Sequence, residues 1–124
     1  MIAALLLAVA STTPTPLTAM QKAKIKDAIG DIVLDGQSTD YRWLPLQPKA
    51  LSYCGWINTK NSAGAFTGWR PYRLSINTFK GFEIKPPINI ASDDPLDHFV
   101  TATIYSLCEG GGYDLDLPPS HWPR

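Results

Sequence analysis

In the stretch CGWINTKNSAGAFTGW, residues 54–69, the polar side chains Asn58, Lys60, Asn61 and Ser62 stand among Trp56, Phe66 and Trp69. Amide and ammonium donors of this kind bind anions or sugar hydroxyls, and indole faces offer stacking surfaces. Asn58, Lys60, Asn61, Trp56 and Trp69 therefore form a candidate binding set. A tight turn asks for the same residue types, because asparagine and glycine satisfy turn geometry and lysine keeps a tip in water. Both readings stand on sequence, and the turn is the more economical. Ser62 as a nucleophile would need a base, and the chain's two histidines, His98 and His121, are remote from it in sequence.

His98 follows Asp93, Asp94 and Asp97. At a spacing of four, Asp94 and His98 share one face of a helix, which would suit a small hydrolase or supply a metal with two ligands. Carboxylates at that point also answer the positive end of a helix dipole. Two ligands do not complete a metal site, so neither a metal nor another cofactor is expected. No HExxH, CxxC or phosphate-binding loop occurs, and the GGG at 110–112 lacks the strand and helix context that a nucleotide loop requires. Enzyme chemistry is left without an assembled group, and a non-enzymatic reading is preferred.

The two cysteines, Cys54 and Cys108, are neither adjacent nor beside a histidine. In an exported chain an even pair is most simply a disulfide. Export is suggested by residues 2–9, IAALLLAV, which are too short for a bilayer span of roughly 20 residues and run into the proline-containing STTPTPLTA. Small residues mark two cleavage points, Ala8-Val9-Ala10 and Leu17-Thr18-Ala19; the later gives the more usual leader length. The expected organisation is a leader at 1–19, one domain at 20–117 and a loose tail at 118–124, with no stable membrane span after cleavage. An uncleaved, anchoring N-terminus is the alternative. Eleven basic residues balance eleven acidic ones in the 124-residue chain. Without a basic field, nucleic acid is not an expected partner.

The elements that must position these groups can be read from periodicity. Ile25, Ile29, Ile32 and Val33 make a helical stripe across 22–34, with Asp35-Gly36 as its stop. Residues 41–46 begin as an edge strand limited by Pro45 and Pro48. Segments 51–57 and 66–76 are rich in aromatic and branched residues around NTKNSAG, which predicts a hairpin. Gly55 and Gly68 fall inside its strands, leaving space that Trp56 and Trp69 are candidates to fill. A second hairpin bends at 77–81 and is expected to end at Pro86-Pro87. For 95–108 the end signals, Ser92 as N-cap and Gly110 as stop, favour helix, while FVTATIY has the branched residues of a strand. YDLDL at 113–117 alternates as a short edge strand would.

The run Cys54-Gly55-x-Ile57-Asn58-x-Lys60-Asn61-x-x-Gly64-x-Phe66-x-Gly68-Trp69, preceded by Asp35, Ser38, Tyr41 and Arg42, resembles a group of small exported bacterial proteins of unknown function. The likeness spans roughly residues 25–74; Ala65 and Gly36 depart from the group's pattern, and the extension after Ile76 is longer. It implies export and an N-terminal helix followed by a hairpin, and assigns no catalytic residue. The expected molecule is an α+β protein: an N-terminal helix packed on a small antiparallel sheet, a second helix or strand near the C-terminus, and one disulfide. Its expected role is a periplasmic or secreted binding module that presents the 58–64 tip to a protein or envelope ligand. The alternatives are a small hydrolase using His98 and its aspartates, or an accessory subunit of an envelope complex.

Overall fold

The computed structural model of the chain describes residues 13–33, 36–79, 81–92 and 98–115. It is an α+β fold: helix α1 (Ala19–Gly30), a 3-10 turn (Gly36–Ser38), strands β1 (Asp40–Arg42), β2 (Ser52–Lys60), β3 (Phe66–Asn77) and β4 (Glu83–Ile90), and helix α2 (His98–Gly110). The strands form one antiparallel sheet in the order β1-β2-β3-β4, so each pairs with its neighbour in the chain. The segment that sequence left between helix and strand is helical. Its expected N-cap, Ser92, lies upstream of the first helical residue, His98, and residues 93–97 are outside the described residues.

Alternation along the strands gives the sheet two buried faces. In β2 every residue from Tyr53 to Asn58 is buried. Tyr53, Gly55 and Ile57 share a face with Leu74, Tyr72 and Tyr41, whereas Cys54 and Trp56 share the other with Arg73, Pro71 and Arg42. Helix α1 covers the first face, where Lys26 lies over the Tyr41 ring at 5.8 Å and Lys24 Nζ donates to the Phe82 carbonyl at 3.0 Å. Helix α2 covers the second, edge-on to Trp56 through Tyr105 and joined to β2 by the Cys54–Cys108 disulfide. The bridge closes a separation of 54 residues, which on the chain-entropy view stabilises the fold by about 4 kcal/mol.

Four local expectations are corrected. The space above Gly55 is filled by Tyr72, its cross-strand partner: a Cβ at Gly55 would lie 2.7 Å from Tyr72 Oη, while Trp56 turns to the opposite face. Pro86-Pro87 does not end the second hairpin. Leu74 pairs with Ile88 and Ser75 with Lys85, so both prolines sit in a bulge of an edge strand and no ladder hydrogen bond is asked of them. Tyr113 and Leu115 are buried, but they belong to no strand. The Tyr113 amide donates to the Cys108 carbonyl at 2.9 Å and closes α2, which removes it from any ladder. Helix α1 also stops short of Asp35-Gly36, at Gly30 with Asp31 as C-cap; Ile25 and Ile29 are buried, whereas Ile32 lies past the end and is exposed. Residues 34–35 are outside the described residues.

The fold also takes in residues ahead of Met20. Thr15 and Leu46 exchange backbone hydrogen bonds at 3.0 and 2.7 Å, and Leu17 belongs to the core. Thr18 caps α1 reciprocally: the Gln21 amide donates to Thr18 Oγ1 at 3.1 Å and the Thr18 amide to Gln21 Oε1 at 2.9 Å. A chain that begins at Met20 loses the cap and the Leu17 anchor. We expect it to be less stable than one that begins at Ser11 by about 2–4 kcal/mol, summing a cap and one buried leucine, as read from urea denaturation of the two oxidised chains. Equal midpoints would show that 11–19 contribute nothing to folding.

Candidate functional site

The hairpin tip is built by its two asparagines. Between Asn58 and Lys60 the register slips, because β3 carries one residue more than β2 at this point, and Gly68 takes the extra position with φ of 104°. That slip frees the Gly68 amide, which donates to Asn58 Oδ1 at 3.0 Å; Asn58 itself is only 3% exposed. At the turn, Asn61 Oδ1 accepts from the Ala63 and Ala65 amides at 3.0 and 3.1 Å, and the Ala65 carbonyl accepts from the Asn61 amide at 2.8 Å. Trp56 is buried beneath α2. Lys60 lies over the Phe66 ring at 5.3 Å, and half-buried Trp69 carries the Arg42 guanidinium at 5.9 Å. Of the five residues singled out from sequence, Asn58 and Trp56 thus lie inside the fold. Asn61 organises the turn, and Lys60 and Trp69 remain at the surface.

The hydrolase constellation is not assembled among the described residues. His98 is exposed at the first turn of α2, and Asp93, Asp94 and Asp97 lie outside the described residues. No three His, Cys, Asp or Glu side chains converge among the described residues.

A groove that sequence reasoning did not single out runs between α2 and the β3–β4 side of the sheet. Arg73 and Asn89, cross-strand partners, form its floor, and Phe99, Val100, Thr103, Ile104 and Leu107 form its wall, around a hollow of about 180 Å³. Phe99 is 85% exposed, Leu107 46% and Val100 41%. Arg73 Nε is withdrawn from solvent and has no hydrogen-bond partner. A signal for this wall does exist in the sequence: from His98 to Cys108 there is no Lys, Arg, Asp or Glu. So long a helical stretch without those residues is uncommon on a solvated face.

Three larger hollows border α1. One, about 390 Å³, is lined by Lys26, Asp27, Asp31, Thr39 and Tyr41; a second, about 550 Å³, has Ile84 and Ile88 as floor and Lys24, Asp27, Asp31 and Glu83 as rim; a third, about 450 Å³, lies at the start of the helix between Met20, Gln21 and Lys24 and Phe82 and Glu83. All three rims mix the two signs of charge, and Lys24 is held by the Phe82 carbonyl. The smaller α2 groove differs in joining exposed apolar walls to a single sign of charge. The chain matches no family model, no curated protein and no solved structure.

Removing the Asn58 side chain leaves a buried amide without an acceptor. We expect Asn58→Ala to cost about 1–3 kcal/mol and Asn61→Ala, at an exposed turn, less than about 1 kcal/mol, measured by chemical denaturation. The reverse order would show that the bulge is not held as described. The tyrosines give a second test. Burial raises Tyr41 from the ordinary 10.0 to about 12, with help from Asp27, and pushes Tyr53, Tyr72 and Tyr113 upward as well. A raised folded value favours the protonated phenol. Stability is therefore whole below pH 10.0 and declines as pH climbs from there through about 12, the folded value of Tyr41. Tyrosinate absorbance should accordingly rise in step with loss of near-ultraviolet circular dichroism; full ionisation of the tyrosines at pH 11 in an intact fold would contradict the burial.

Proposed function

We propose that this protein acts outside the reducing cytosol as a non-enzymatic binding module, and that it makes contact through the α2 groove rather than through the hairpin tip. The observation that carries the reading is the outward face of α2, where Phe99, Val100 and Leu107 stand in water around the Arg73 guanidinium. Exposed apolar side chains gathered around a polar group mark surfaces that another molecule covers. The tip offers less, since Asn58, Asn61 and Trp56 are engaged in holding the hairpin and the core.

Extracytoplasmic placement is supported by the disulfide, which oxidising compartments maintain and the cytosol does not, and by the apolar, uncharged residues 2–9. Among the described residues no helix is long and apolar enough to cross a membrane. The resemblance of the 54–69 glycine and asparagine pattern to that of small exported bacterial proteins points to the same placement. A periplasmic or secreted protein of this kind would recognise a protein or envelope ligand.

Paired variants test both halves of the reading. Phe99→Ser and Leu107→Ser should abolish capture of the species that the oxidised protein retains from an extracytoplasmic extract, with little change in melting temperature. Lys60→Ala and Asn61→Ala should leave capture intact. Loss at the tip with retention at the groove would return the contact surface to residues 58–64. Protein recovered from the extracytoplasmic fraction should be lighter than its reduced form by the hydrogens that a disulfide removes; free thiols there would end the placement.

A further inference from the structure

We infer that the α2 groove receives the C-terminal residue of a peptide, its free carboxylate on Arg73 and an apolar last side chain against Val100, Ile104 and Leu107; this rests on the groove being the contact surface. Arg73 stands in the body of β3, in register with Cys54 on one side and Asn89 on the other, beneath α2. A guanidinium keeps its charge at any physiological pH, and a donor taken out of water without an acceptor is unfavourable. Arg73 Nε is such a donor. The titratable side chain nearest the end of α2, Glu109, acts on Tyr105, on the flank of the helix that faces Trp56 rather than the groove. Among the described residues no acid lines the groove, so an incoming carboxylate meets there a cation that none of them neutralises. The fork of a guanidinium is matched to a carboxylate's two oxygens. The Asn89 side chain lies on the same floor, with amide donors for an oxygen left over.

Size and wall chemistry narrow the ligand further. The hollow, about 180 Å³ and open to solvent, is of the scale of a single side chain. The wall carries no charge, and Thr103, its one hydroxyl, donates to the Phe99 carbonyl at 2.8 Å. Phe99, the most exposed of the wall residues, lies two helical turns from Leu107 and extends the apolar strip beyond the hollow, where residues upstream of the peptide terminus would lie. Capture of a terminal carboxylate beside an apolar pocket is an established mode of peptide recognition on unrelated folds.

The test uses the full-length oxidised protein and three probes: N-acetyl-Ala-Ala-Leu with a free carboxylate, the same tripeptide as its C-terminal amide, and N-acetyl-Ala-Ala-Ser with a free carboxylate. Backbone amide shifts in nuclear magnetic resonance should change at Arg73, Asn89 and 99–107 with the first probe. Affinity should fall by about tenfold for the amide, as for loss of one charge-assisted hydrogen bond, and by a similar factor for the serine peptide. Arg73→Gln should erase the difference between acid and amide, and Arg73→Lys should restore part of it, each in protein whose near-ultraviolet circular dichroism is unchanged. Equal binding of acid and amide at the groove would overturn the carboxylate assignment and leave the groove as contact surface. Shifts confined to 58–64, or none at millimolar probe, would overturn the assignment, and the captures by Phe99→Ser and Leu107→Ser would then decide the broader reading separately. Sodium octanoate that binds more tightly than the leucine peptide would replace the peptide with an acyl chain and overturn the proposal as stated.

Discussion

Six consecutive residues of β2, Tyr53 to Asn58, are withdrawn from water, and a strand can be buried along its length only when something covers each of its faces. That requirement places the other elements. Odd-numbered residues need α1, and even-numbered residues need α2. Strand β3 lies on one side of β2 and β1 on the other, so that the backbone of β2 is paired at both edges. The Tyr53 hydroxyl adds a tie of its own: it donates to the Leu44 carbonyl at 2.7 Å and accepts from the Leu44 amide at 2.8 Å, so the segment after β1 is held without a ladder. Tyr113 does the same from the far end, donating to the Ser52 carbonyl at 2.7 Å.

The helices meet this requirement in different ways. Helix α1 buries two isoleucines and adds long lysine stems over aromatic rings, Lys22 on Trp43 and Lys26 on Tyr41, where the stems cover apolar area and the amines stay wet. Tyr41 and Trp43 stack parallel at 4.9 Å and form one continuous surface for them. Helix α2 has no such charged fringe. It is fixed by Ile104, Tyr105 and the disulfide along a narrow line, and from His98 to Cys108 the rest of its surface carries no Lys, Arg, Asp or Glu. A helix held so firmly along one line can leave large apolar side chains in water without leaving the sheet. This division of labour makes the α1 side a solvated outer wall and the α2 side a surface suited to contact.

Much of this architecture could be read from residue order, and the exceptions share a cause. Ile25 and Ile29, the two long strands and the Cys54–Cys108 pair were legible because period, turn composition and sulfur chemistry act locally or pairwise. Pro86-Pro87 misled because a proline's missing donor is a fault only inside a ladder, and the bulge opposite Leu74 and Ser75 takes both rings out of it. YDLDL misled because alternation reports burial, which Tyr113 and Leu115 do show, and not hydrogen-bond partners. The site was harder still. Asparagine in a turn and asparagine in a binding loop have the same composition, and only the Gly68 amide on Asn58 tells them apart. Phe99, Val100 and Leu107 look like core in the sequence. Their exposure follows from where the disulfide holds the helix, which no local pattern contains.

The distance between the two sulfurs along the chain bears on the order of events at a ribosome or translocon. Cys54 lies in the middle of the sheet and Cys108 near the close of the last helix, 54 residues later. Emerging in sequence, the whole meander from β1 to β4 leaves the exit site before the second thiol does. The first must therefore wait, unoxidised and unshared, while its neighbours fold around it. Any small-molecule disulfide that exchanges with it in that interval, releasing one of its own halves as a thiol, would block the seat of the final helix, so maturation of this protein would depend on the timing of its own biosynthesis.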